Sequence, residues 1–184
     1  MQKHKKPLDQ TPSLKSLEYI DLNKLPEGPI VDLACGYGRN GAFFVQKKYD
    51  VIFIDNSKEC LDFINKSDNV AYNGNIDKKF VKTILLDLTN EWILLEESIA
   101  GFILVDYYNP ILLEKINSSL KRNGFIYIET IKAHKGNVEN LPVYKSIIQF
   151  FIEKQYKIIY YKERPVYNEN KIVSSVTLFA YKIV

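Results

Sequence analysis

Apolar residues in this chain gather in short dense runs separated by longer amphipathic stretches, and the two alternate from about residue 30 onward. The runs at residues 30–33, 49–55, 82–86, 101–106 and 125–129 are too brief for helices and rich in aliphatic side chains, so each reads as a buried strand. Residues 40–47, 56–64, 90–97, 111–120 and 142–153 read as helices between or after them. Leu61 and Ile64 turn inward on the second helix, and Val143, Ile147, Phe150 and Phe151 form the apolar face of the last. Gly124, ending the exit 121–124, is expected just past a helix C-terminus. Strands alternating with helices predict a parallel sheet covered on both faces. The ending differs: β-rich runs at 156–163 and 172–183 are joined by a polar turn, 165–171. So short a link requires antiparallel pairing or an inserted strand between them. Residues 70–82 and 1–29 carry no strand pattern, though a short helix capped by Ser13 is expected at 13–19.

The chemistry concentrates at the end of the first strand, in IVDLACGYGRNG at residues 30–41. Asp32 interrupts an apolar run, and a buried carboxylate needs hydrogen-bond donors, which a strand's carboxyl end supplies. Gly36 and Gly38 permit a tight turn and a ligand close to the backbone. The helix start at Asn40 offers free N–H groups to whatever the loop holds. Asp55 ends the second strand about 20 residues after the loop, where a carboxylate accepts from a ribose diol. Strand, acid, glycine loop and helix start describe a nucleotide-type site at a parallel sheet's edge.

Two readings compete for it. Gly36, Gly38 and Gly41 satisfy the dinucleotide fingerprint G-x-G-x-x-G, which points to an NAD(P)-dependent oxidoreductase, although no Tyr-x-x-x-Lys helix accompanies it. The longer string DLACGYGRN, from Asp32 to Asn40, resembles motif I of class I S-adenosylmethionine-dependent methyltransferases, in the version found in small bacterial enzymes related to the tellurite-resistance and thiopurine methyltransferase groups. That resemblance implies an α/β fold: a three-layer, Rossmann-like, seven-stranded sheet, mostly parallel with a reversed last strand. It implies a methyltransferase domain over residues 26–184, preceded by an N-terminal segment, 1–25, as a candidate lid.

The cofactor implied is S-adenosylmethionine, with Asp32, Ala34, Cys35, Gly36 and Gly38 around its amino-acid moiety. Arg39 is a candidate partner for the methionine carboxylate, or a surface arginine at a helix start. Asp55 and Asn56 fall to the ribose, Asp87 and Leu88 to the adenine, and Val105 to the wall at the fourth strand's end; Asp87 alternatively caps the next helix. Asp106 and Tyr107 match motif IV, beside the transferred methyl, and Glu129 ends the fifth strand where relatives carry Glu-Thr. These three are the candidate catalytic groups. Relatives usually show a Tyr-Leu-His-Arg-Pro style sequence at motif IV; this chain has Tyr107-Tyr108-Asn109-Pro110, without the His-Arg pair, which leaves the acceptor open. In the loop 131–141, His134 is a candidate base or an exposed loop histidine.

At 184 residues, with 46% hydrophobic and 26% charged, the chain fits one globular domain. Its net charge of +3 comes from scattered lysines, so no concentrated basic face is read and nucleic acid is not an expected partner. Cys35 and Cys60 make no disulfide framework, no apolar region follows the basic start, and no run approaches the ~20 residues of a membrane span. The expectation is a cytoplasmic protein, monomer or homodimer, without a metal, acting on a small-molecule methyl acceptor. A non-catalytic S-adenosylmethionine-binding protein is the alternative from another class.

Overall fold

The structure is a computed structural model that describes residues 20–66, 77–130, 140–168 and 171–184. Its strands are β1 (Ile30–Leu33), β2 (Val51–Asp55), β3 (Val81–Leu85), β4 (Ile99–Val105), β5 (Leu120–Glu129), β6 (Tyr156–Asn168) and β7 (Lys171–Lys182). The helices are α1 (Arg39–Gln46), α2 (Lys58–Lys66), α3 (Ile111–Ser119) and α4 (Ser146–Glu153). All seven strands form one sheet in the order β3-β2-β1-β4-β5-β7-β6. The strands β1 to β5 run parallel, and β7 enters antiparallel between β5 and β6. The reversed ending expected from its two adjacent β-rich runs is therefore present.

Alternation along the strands sorts the core into two layers. Val31, Leu33, Phe102, Leu104, Ile126 and Ile128 face α3 and α4, whose Leu112, Ile116, Ile147 and Phe151 complete that side. Ile30, Phe53, Ile103, Phe125, Tyr127 and Phe179 face α1 and α2, with Phe44, Leu61 and Ile64. On the second side Phe44 stacks on Phe125 at 5.6 Å and Phe125 meets Phe179 at 6.0 Å, which ties α1 to the antiparallel end of the sheet. Succession runs outward from β1 to β3 and then resumes on the other side of β1 with β4. That reversal opens a crevice at the carboxyl ends of β1 and β4, where doubly wound sheets bind ligands.

Three elements differ from the sequence expectation. The helix expected at 90–97 is a single turn followed by irregular chain. Trp92 there donates to Ser119 Oγ and stacks on Phe102, while Glu97 and Ser98 donate their N–H groups to the carbonyls of Ser118 and Ser119. These contacts commit the segment to the end of α3, and they draw the backbone of Glu97 and Ser98 away from a helix of its own. Gly124 is not a helix cap. β5 begins directly after α3, and its pairing with β4 jumps from Ile99–Leu120 to Gly101–Phe125, a bulge whose positive φ belongs to Asn123. A Cβ at Gly124 would stand 2.9 Å from the carbonyl oxygens of Ala100 and Lys121, so glycine is needed for close approach. The α3 end is closed instead by the buried Lys182, whose Nζ donates to the carbonyls of Asn117 and Leu120 at 2.8 Å each. Finally, α4 starts at Ser146 and not at 142, because Val143 bridges to Val173 of β7. Val143 is thus exposed and leaves the apolar face to Ile147 and Phe151.

Of the N-terminal segment, the helix expected at 13–19 and most of the candidate lid lie outside the described residues, as does His134. Residues 22–24 form one turn of 3-10 helix, and Leu22 and Leu25 pack on the α1 side, where Tyr49 Oη donates to the Leu22 carbonyl at 2.8 Å. Among the described residues no helix is long and apolar enough to cross a membrane.

Candidate active site

The loop after β1 turns on positive φ angles at Ala34, Gly36 and Gly38 (50°, 53° and 78°). Alanine in this conformation is strained, and such strain persists only where the surroundings over-determine it. Here Cys35 N–H is held by the Ile54 carbonyl at 3.0 Å and Gly38 N–H by the Cys35 carbonyl at 2.9 Å. Two carboxylates fasten the loop from below. Asp55 takes the N–H of Gly36 at 2.7 Å on one oxygen and that of Ser57 at 2.8 Å on the other, joining the loop to the start of α2. Asp32 accepts from Gly41 N at 2.8 Å and is almost wholly buried. Burial pushes its carboxyl up to about 8, against the opposing effect of the Gly41 N–H.

The glycines divide their work. A Cβ at Gly38 would lie 2.8 Å from Ile64 Cδ1, and one at Gly41 would lie 2.4 Å from Phe53 Cε1, so these two serve helix–strand packing. A Cβ at Gly36 would meet nothing within 4 Å. Its N–H is fixed while the side where a side chain would project stays open.

That open side belongs to a cavity of about 630 Å³, within the range of small-molecule sites. The β1 loop gives it Ala34, Cys35, Gly36, Tyr37, Arg39 and Asn40. The end of β2 contributes Asp55 and Asn56, residues 86–89 line it after β3, and Val105, Asp106 and Tyr107 close it at β4. Among the residues singled out in the sequence, Ala34, Cys35, Gly36, Arg39, Asp55, Asn56, Asp87, Leu88, Val105, Asp106 and Tyr107 thus meet around one space. Asp32 and Gly38 stand behind the loop and support it. Glu129 does not line this cavity; it opens on a second one of about 230 Å³, with Tyr127 Oη donating to its Oε2 at 2.8 Å.

The carboxylates around the cavity differ in how they are held. Asp87 accepts from the hydroxyl and N–H of Thr89 at 2.7 and 2.9 Å and from Asn90 Nδ2 at 3.0 Å. These donors, the Thr89 hydroxyl first, hold its carboxyl below the usual range, so Asp87 caps its own turn while facing the cavity. Asp106 has a positive φ of 58° and pairs with Arg39, Nη2 to Oδ2 at 3.3 Å. This ion pair spans the two lips of the crevice, from α1 to the end of β4. Asp106 N–H also donates to the Glu129 carbonyl at 2.8 Å, which locks the β4 and β5 ends together.

Sequence reasoning passed over Tyr37, Leu86 and Thr89, which also line the cavity. Tyr37 donates from Oη to Glu59 at 3.2 Å and sets its ring edge-on to Phe63 at 5.1 Å, anchoring the glycine loop to α2. Its place between two loop glycines was a signal, but only contact with α2 reveals the role.

A family model described as tellurite resistance protein TehB matches residues 12–175. No curated protein matches the chain. Among solved structures, an S-adenosylmethionine-dependent methyltransferase from Methanosarcina mazei superposes with a TM-score of 0.61 at 12% identity, covering 89% of this chain and 96% of that one. TehB from Haemophilus influenzae gives 0.57 at 18% identity over 84% of this chain, which spans 57% of the Haemophilus chain. A geranyl diphosphate C-methyltransferase from Streptomyces coelicolor, in complex with Mg²⁺, geranyl diphosphate and S-adenosylhomocysteine, gives 0.66 at 13% identity over 90% of this chain and 76% of that one. At these identities the structures establish likeness of fold.

Proposed function

We propose that this chain, which belongs to the TehB tellurite-resistance family, is an S-adenosylmethionine-dependent methyltransferase that acts on a small-molecule nucleophile. The observation that carries the site assignment is the fastening of Gly36 N–H by Asp55 beneath a space that no side chain fills. A ligand with an amino-acid tail, a ribose diol and a flat base suits that arrangement. The backbone N–H groups at the start of α1 would meet the tail. Asp55 has acceptor capacity beyond its two backbone partners for the ribose hydroxyls. Asp87 and Leu88 would flank the base, and Arg39 would meet the tail's carboxylate.

When bound, the cofactor supplies an electrophilic methyl on a positive sulfur, which becomes a neutral thioether as the acceptor's lone pair forms the new bond. The chain's task is then to align the acceptor and keep bulk water away. Tyr107 and the Val105 end of β4 would form the floor for the acceptor, and Asp106 would take a proton from an acceptor that arrives neutral. A small acceptor is supported by the direct step from β4 to α3 across residues 106–110, which leaves no added recognition element there, and by the Streptomyces relative's complex with geranyl diphosphate.

Calorimetric titration with S-adenosylhomocysteine beside NAD and NADP tests the site. Binding of S-adenosylhomocysteine alone, weakened in Asp55→Ala, is the expected result; binding of NAD instead would sink it. Substituting Asp106 and Tyr107 separates the catalytic reading from a purely binding one, since turnover should fall while cofactor affinity is kept. Deleting residues 1–12 tests the lid, which predicts weaker cofactor binding. We place the protein in the cytoplasm as a monomer or homodimer without nucleic acid, a reading that sizing chromatography with and without added RNA examines.

A further inference from the structure

The second cavity lies on the same face of the sheet as α1 and continues a row that begins in the first. Val105 is the register partner of Glu129, Glu129 of Thr177, and Thr177 of Lys162. Register partners project to one face, so these four side chains form a line across β4, β5, β7 and β6. Its Val105 end lines the first cavity, and Glu129, Thr177 and Lys162 line the second. One step along the hairpin, Arg164 pairs in register with Ser175, and both open on the second cavity. At roughly 4.8 Å between strands, Val105 lies about 10 Å from Thr177 and about 14 Å from Lys162, an interval that a small molecule and a long lysine side chain span together.

The charges in this cavity are unusual for the chain. Lys162 and Arg164 occupy alternate positions of β6 and so share a face, and among the described residues neither forms an ion pair. Thr177 and Ser175 add hydroxyls beside them, and Glu129 is the one carboxylate among the described residues of the lining. Among the described residues of the lining, two cations stand beside one carboxylate, a setting that suits an anionic group. A guanidinium presents two parallel N–H groups to a carboxylate, and a nearby ammonium adds a movable third donor.

From this placement we propose that the second cavity anchors a carboxylate on the methyl acceptor, held by Arg164 and Lys162, with the nucleophile of the same molecule directed along the row toward Val105 and Tyr107. The proposal deepens the methyltransferase reading and rests on it. It narrows the substrate class to small acids that carry a nucleophilic atom at the end of the molecule away from the carboxylate.

The test is binding, read by calorimetry and chemical-shift perturbation, with protein saturated in S-adenosylhomocysteine. Acetate, benzoate and 3-mercaptopropionate are titrated beside the methyl ester of each. At least one acid should bind tenfold or more tightly than its ester, and Lys162→Met with Arg164→Gln should remove that preference. The double variant should keep the parent's affinity for S-adenosylhomocysteine, which shows that it is folded. Acids binding no better than esters, or a preference that survives the double substitution, overturns the anchoring site while the cofactor reading stands. Failure of S-adenosylhomocysteine itself to bind the parent overturns both.

Discussion

The two cavities share one edge of the sheet yet are built by opposite means. The first is assembled from loops after β1 to β4 and, among the described residues, carries Asp55, Asp87 and Asp106 against the single cation Arg39. Its carboxylates are occupied in shaping the loops, so backbone geometry and ligand chemistry are inseparable there. The second is assembled from side chains in register across β5, β7 and β6, on strands that stand without them. A change in the first should disturb both fold and binding, whereas a change in the second should disturb binding alone.

The sharpest test of that contrast is Asp55→Ala. Losing the acceptor for Gly36 and Ser57 together with the proposed ribose contact should weaken S-adenosylhomocysteine binding by about 100-fold, or ~2.7 kcal/mol, and lower the melting temperature as well. A large loss of affinity with no thermal change would break the claim that the loop and the ligand share this carboxylate. Next in size, the glycines should separate fold from ligand. Gly38→Ala combines a positive φ with a Cβ 2.8 Å from Ile64, and should cost ~2–3 kcal/mol in denaturant unfolding. Gly36→Ala, with open space around its Cβ, should cost only ~1 kcal/mol of stability while reducing cofactor affinity tenfold or more.

A further prediction concerns pH. The Asp32 carboxyl is raised to about 8 in the fold from an ordinary 3.8, so the folded state holds a proton that the unfolded chain releases. This group therefore costs no stability below pH 3.8, and its cost grows as pH rises from there to about 8. Asp32→Asn mimics the neutral acid and should gain on the parent across that window in parallel urea titrations; a constant difference would mean that the buried acid is ionised. The smallest effect is electrostatic. Lys162 and Arg164 are exposed, so raising salt from low ionic strength to about 0.5 M should weaken carboxylate binding a few-fold. Cofactor affinity, resting on short hydrogen bonds in a partly buried loop, should stay within about twofold.

The same contrast explains what the sequence disclosed. Asp32, Gly36, Gly38 and Asp55 are legible because the first cavity depends on spacing along the chain: acid, turn, helix start and strand end follow in order. The parallel strands are legible for a similar reason, since burial on both faces leaves dense apolar runs. Lys162 and Arg164 carried no such signal. They meet Glu129 only through the β5–β7–β6 register, a relation between residues more than thirty positions apart that no local pattern encodes. The expected Gly124 cap failed for a related reason: Lys182, sixty-two residues beyond Leu120, supplies the donor that ends α3. The lost helix at 90–97 likewise reflects tertiary claims by Ser118 and Ser119 on its backbone.

The insertion of β7 between β5 and β6 also orders events in time. β6 and β7 are neighbours in sequence and pair along nearly their whole lengths, so their hairpin can form early on its own. The remaining edge of β5 gains its partner only when that hairpin docks, and until then Phe125 to Ile128 present an open apolar strand to any other chain. Refolding should accordingly be a race between docking and intermolecular pairing. Light scattering on dilution from denaturant should rise steeply with protein concentration, and variants that weaken the hairpin should lower the yield of soluble protein while the cofactor affinity of the recovered molecules is unchanged.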